Sequence, residues 1–123
     1  MILVDTSVWI DHLRKSDAEL TKLLNSGLVL AHPFVTGELS LGSLQNRDAI
    51  IGALQELPQA SIATDDEVMH FIAQNKLFGV GVGYIDVHLL AAARLSPGCL
   101  LWTRDKRLLS ASINLGLSLN VSH

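Results

Sequence analysis

The sequence predicts an α/β fold built around a central parallel sheet. Short apolar runs at residues 1–4, 28–31 and 99–102 alternate with stretches of helical periodicity, which is the pattern of βαβ units. These runs lack polar alternation, as strands covered on both faces require. The first and last of them lead directly into hydroxyls and an acid, as Asp5-Thr6-Ser7 and Thr103-Arg104-Asp105. In open α/β sheets ligands collect beyond the carboxyl ends of the strands, so an acid there stands where chemistry is usually done. A helix N-cap is the competing reading of each.

The chain of 123 residues suits one domain over 1–123, and 49% hydrophobic content supplies a substantial core. Its net charge of −3 provides no general basic field, so any nucleic-acid contact must use a local patch. Cys99 is the single cysteine and lies in an apolar run; it points to a reducing compartment, with the cytoplasm as default. The first strand begins at Met1 and leaves no room for a signal peptide. Asp86, His88 and Arg94 interrupt the longest apolar stretch, so no membrane span is expected.

A short helix is expected over 8–14, with Asp11 and Lys15 spaced for an i,i+4 pair. Ser16-Asp17-Ala18-Glu19 reads as a capping box opening a helix over 17–26, which Gly27 ends. After the strand at 28–31, Pro33 suits the first position of a third helix. There Phe34, Glu38 and Leu41 share one face and Val35 and Leu39 the neighbouring stripe, so an acid interrupts an apolar face. It must meet a cation or donors, or reach water at the rim. A helix over 47–57, stopped by Pro58, reads as packing alone.

Residues 61–63 are too short to assign, whereas Thr64-Asp65-Asp66-Glu67 is a second capping box whose acids suit the helix dipole and propose no metal site. His70 is expected on the polar side of that helix. The glycines at 79, 81 and 83 lack the GxGxxG spacing of a nucleotide loop and read as a close turn. They feed a buried helix over 84–94, with Asp86 in its first turn and Leu89, Leu90 and Ala93 on the same side. His88 points elsewhere, as a surface or hydrogen-bonded histidine. A helix over 106–113 follows Asp105, and a last edge strand is expected over 117–121.

Asp5, Glu38, Asp86 and Asp105 would then lie along one edge of the sheet. Two carboxylates 5 Å apart repel by roughly 3 kcal/mol at an effective dielectric near 20, so four strongly destabilise one another until a hard cation cancels the repulsion. Oxygen ligands without paired His or Cys point to Mg²⁺ or Mn²⁺, which activate water in phosphodiester hydrolysis. Arg14, Arg104, Lys106 and Arg107 are candidates for RNA phosphate contacts. Trp9 and Trp102 are candidates for base stacking or, more simply, for core or dimer contacts.

On these elements the whole chain resembles a PIN-domain ribonuclease of the VapC toxin family. The residues that carry the resemblance are the opening strand with Asp5-Thr6-Ser7, Glu38 in the third helix, Asp86 ahead of Leu89-Leu90-Ala91-Ala92, and Thr103-Arg104-Asp105. The resemblance implies an α/β/α sandwich around a parallel sheet, Mg²⁺- or Mn²⁺-dependent endoribonuclease activity, homodimers and a VapB-type antitoxin. It also implies that Asp5, Glu38 and Asp86 hold a first metal. Asp105 would support a second metal or orient water, and Ser7 and Thr103 would orient carboxylates. An aspartyl-phosphate enzyme fits poorly, since Ser7 stands where a second acid is usual. A binding module whose acids hold only an ion or a basic peptide is the non-enzymatic alternative.

Overall fold

The computed structural model describes residues 1–119. Strand β1 (Ile2–Val4) is central, flanked by β2 (Val29–Leu30) and β3 (Leu100–Trp102), and both pairings are parallel. Ile2 pairs with Val29 and Leu100, and Val4 with Trp102. Single parallel bridges from Ala31 to Gln59 and from Leu101 to Ser118 extend the sheet on either side. The register places the ends of β1 and β3 level: the Asp5 amide donates to the Trp102 carbonyl over 2.9 Å. Both strands therefore deliver their following residues to one edge. The expected strand at 117–121 is a bridge at Ser118, and residues 120–121 lie outside the described part.

Seven helices complete the described residues: α1 (Thr6–Arg14), α2 (Ala18–Asn25), α3 (Pro33–Ser40), α4 (Arg47–Glu56), α5 (Asp65–Gln74), α6 (Tyr84–Leu95) and α7 (Lys106–Asn114). α1, α3 and α4 pack in series, α5 lies against α6, and α6 lies against β3. None of them is long and apolar enough to cross a membrane. Leu3, Leu20, Leu89, Leu90, Leu101 and Leu108 are fully buried, which is why the strands read as unbroken apolar runs. Trp9 and Trp102 are both buried in this core rather than open to bases.

Three local expectations change. The α2 cap is Asp17, whose side chain accepts from the Leu20 amide, so the capping box predicted from Ser16 is displaced by one residue. A carboxylate out-competes the neighbouring hydroxyl at that position because its charge also suits the helix dipole. Asp11 pairs with Arg104 instead of Lys15. On α3 the buried face is Val35, Thr36 and Leu39, while Leu41 is 88% exposed, so Glu38 does not interrupt a buried stripe. The Thr64–Glu67 capping box is present with both of its bonds.

Because β1 is buried on both faces, Leu3→Ala is expected to cost about 3 kcal/mol of stability, measured by urea unfolding. Leu41→Ala, at a solvent-exposed position, changes it by less than about 0.5 kcal/mol.

Candidate active site

Each acid reaches the sheet edge by a different route. Asp5 is the residue after β1 and the N-cap of α1, and it is buried. Its Oδ2 accepts from the Ser7 hydroxyl at 2.7 Å and from the Thr103 hydroxyl at 2.8 Å. Both hydroxyl protons are thereby committed to Asp5, so the 3.4 Å approach of Ser7 Oγ to Thr103 Oγ1 is a packing contact. Thr103 Oγ1 also accepts from the Asp105 amide at 3.1 Å, and Ser7 Oγ from the Arg104 amide at 3.0 Å. These bonds lock the two strand ends around one carboxylate.

Glu38 projects from α3, is solvent-exposed, and accepts from the Thr6 hydroxyl over 2.8 Å. A hydrogen-bonded line thus runs from Glu38 to Thr6, through the backbone to Asp5, and on through Thr103 to Asp105. Asp105 itself caps α7, with Oδ1 accepting from the amides of Arg107 and Leu108. Asp86, half-buried in the first turn of α6, completes the group. Burial pushes its carboxyl up to about 6, helped by the negative charges of Asp5, Asp105 and Glu38 and opposed by a backbone hydrogen bond from Gly83. Four residues distant in sequence therefore act on one another through their charge.

Among the described residues, no group of three His, Cys, Asp or Glu side chains is closed around a point that could hold a metal ion. Ionised carboxylates at this density hold one another apart. The donor set still suits a hard divalent cation: it is all carboxylate, without thiolate or imidazole, and burial together with the charges of Asp5, Asp105 and Glu38 makes ionisation of Asp86 less favourable.

The four basic candidates separate. Arg104 is committed elsewhere: it pairs with Asp17 at 2.6 Å and Asp11 at 2.7 Å, and its guanidinium lies 5.5 Å from the Trp102 ring centroid. It joins the start of α2 to α1 and the strand end through these pairs. Arg14 is exposed in the groove that contains Glu38. Lys106 and Arg107 are exposed on the first turn of α7.

Two histidines behind the acids differ from expectation. His88 is buried, with neither ring nitrogen hydrogen-bonded among the described residues. Phe34 and Tyr84 each meet its ring edge-on at 4.8 Å. The aromatic cage won because α6 is surrounded on every side. His32 was not singled out in the sequence; it is the N-cap of α3, its Nδ1 accepting from the Phe34 amide at 3.0 Å. Burial, aided by His88, holds it down at about 4 and therefore neutral, as that acceptor role requires. The available signal was its position directly before a helix-opening proline.

The model of the PIN domain matches residues 2–113. The chain belongs to the PIN-domain family. It is 46% identical over 119 residues, 97% of this chain and 96% of the relative, to a protein named Ribonuclease VapC32 from each of two Mycobacterium tuberculosis strains. Within the family its similarity is to VapC-type ribonucleases.

Asp86 carries a testable sign. Its folded-state pKa lies above the unfolded value, so the folded state holds the extra proton between about pH 4 and 6 and its stability falls as pH rises through that window. Without divalent metal, Asp86→Asn is expected to raise stability at pH 7 by about 1 kcal/mol after solvent screening, and to give no gain below pH 4, as read by thermal unfolding in EDTA. For Arg104, Arg104→Ala is expected to cost about 1–2 kcal/mol in the same assay through its two ion pairs. RNA affinity in that variant stays unchanged.

Proposed function

We propose that this chain is a metal-dependent endoribonuclease, the toxin of a VapBC-type pair, that hydrolyses RNA in the cytoplasm as a single PIN domain over 1–123. The observation that carries this reading is the hydrogen-bonded line of Glu38, Asp5 and Asp105 with Asp86 lying in their combined field. Asp5, Glu38 and Asp86 would hold Mg²⁺ or Mn²⁺, and Asp105 would support a second ion or a water through the oxygen that does not cap α7. Such a cation, when bound, activates water and offsets negative charge developing on the phosphate.

The protein's own side chains supply orientation and proton handling. Ser7 and Thr103 fix Asp5 Oδ2, so that carboxylate has one rotamer and its other oxygen faces the site. Asp86, whose carboxyl burial and the neighbouring acids push up to about 6 without a cation, would give up its proton on holding one. Thr6, the residue that follows Asp5, donates its hydroxyl to Glu38 and so ties α3 to the end of β1.

We further infer a VapB-type antitoxin and a homodimer as partners. A groove lined by Ile10, Leu13, Arg14 and Leu39 opens beside Glu38, the shape expected for an amphipathic helix followed by a basic residue reaching the acids.

With Mn²⁺ or Mg²⁺ the protein is expected to cut single-stranded RNA to 5′-phosphate and 3′-hydroxyl ends. EDTA and Asp5→Asn each abolish cleavage, and Thr103→Val lowers the rate by about 10–100-fold. Cleavage that persists in EDTA and leaves cyclic phosphates would refute the mechanism.

A further inference from the structure

We propose that the groove between the turn after α5 and the length of α7 is a phosphate track that holds the backbone of single-stranded RNA beside the acid edge. The identity of the ligand rests on the nuclease reading above; the anion-binding character of the groove does not. Lys76 comes from the turn after α5, and Lys106, Arg107, Ser110 and Asn114 come from α7; together they line a groove of about 350 Å³. Three of the nine basic residues of a chain with net charge −3 thus open onto one groove, and no acid lines it.

Of the other arginines, Arg104 is paired with Asp11 and Asp17, Arg47 with Asp48, and Arg94 lies over Phe71 and donates to the Leu115 carbonyl, whereas Arg14 is exposed in the groove beside Glu38. Among the described residues Lys76, Lys106 and Arg107 form no ion pair. Helix stability does not account for their placement either. Lys106 and Arg107 occupy the first two positions of α7, where the macrodipole disfavours positive charge. Lys76 adopts φ 52, a left-handed conformation that glycine would take without strain. An anion in the groove would offset the charge placement.

The glycine loop connects this groove to the acids. A Cβ on Gly81, which has φ +82, would lie 2.9 Å from Nη1 and 3.0 Å from Cδ of Arg107, so the arginine is seated directly on glycine backbone. Two residues later Gly83 caps α6, and a Cβ there would lie 3.8 Å from Asp86 Oδ2. On the other flank Lys106 follows Asp105 in the chain. The groove therefore begins where the acid cluster ends; its floor includes the apolar Leu77, Val80, Ala111 and Leu115, and its polar contacts are three cations and small neutral donors suited to phosphate.

The test is binding of a short, mixed-sequence, dye-labelled single-stranded RNA, followed by fluorescence anisotropy in EDTA across a salt series. Each lost phosphate contact lowers the slope of log K against log salt by about 0.7, so Lys76→Gln/Lys106→Gln/Arg107→Gln is expected to reduce it by about 2. Gly81→Ala displaces Arg107 and reduces the slope by less than about one contact's worth. Lys22→Gln on α2 leaves it unchanged. All the replaced cations are exposed; should the triple variant fail to fold, Lys106→Gln and Arg107→Gln singly carry the same test.

An unchanged slope in folded variants, or no binding by the wild type, overturns the proposal. Parallel incubation with Mn²⁺ separates the two readings. RNA that is bound through the groove yet never cut leaves the track standing and removes the nuclease. RNA that is cut with no slope change does the reverse.

Discussion

Mutual repulsion among four carboxylates is the constraint around which the rest of this fold is arranged. Charges of one sign are brought together only if the scaffold overrides their tendency to separate. Here the scaffold is a parallel sheet whose β1 and β3 end level, so that Asp5 and Asp105 leave adjacent strands on the same edge. Two hydroxyls then convert that backbone register into carboxylate orientation. Thr103 binds Asp5 with its proton and the Asp105 amide with its lone pair, and Ser7 does the same for Asp5 and the Arg104 amide. Each hydroxyl is used as both donor and acceptor, which is why neither is replaceable by a group of similar size alone.

The surrounding elements either supply the remaining acids or keep positive charge away from them. α3 is started by the neutral imidazole of His32 and by Pro33, which fixes the helix that carries Glu38. α6 is buried along most of its length, so Asp86 enters an environment that penalises its charge even before its neighbours add theirs. Arg104, one of the two cations that flank Asp105 in sequence, is paired with Asp11 and Asp17. Had it turned inward, it would have neutralised the cluster and left no electrostatic demand for a divalent ion. Lys106 and Arg107 are instead exposed beyond the site, on the flank where a polyanionic substrate would run.

Much of this was readable from the sequence because it depends on local patterns. The strands are uninterrupted apolar runs, and the glycines, prolines and capping residues mark most of the helix ends within a residue or two. The order of the acids along the chain was enough to place them at one edge once a parallel sheet was assumed. What was not readable depends on partners far apart in the chain. Asp11 sits four residues before Lys15, but pairing with Arg104 is decided by tertiary approach. Glu38 looked intrusive only because Leu41 was assigned to the core, and Leu41 is exposed. His88 lies in the buried middle of α6, where its ring meets Tyr84 one turn earlier on the same helix and Phe34 on α3; only the second of these contacts depends on tertiary approach. The Gly81 contact with Arg107 spans 26 positions, and only the folded chain shows that the turn serves as a seat for a guanidinium.

The central claim is that a divalent cation offsets the burial and the neighbouring negative charges that together raise the Asp86 pKa. Calorimetric titration of Mn²⁺ at pH 6 in buffers of different ionisation enthalpy measures the protons released on binding. The account predicts that roughly half a proton leaves the wild-type protein for each ion bound and that Asp86→Asn releases none. Binding without proton release in the wild type, or the same release from Asp86→Asn, would contradict it.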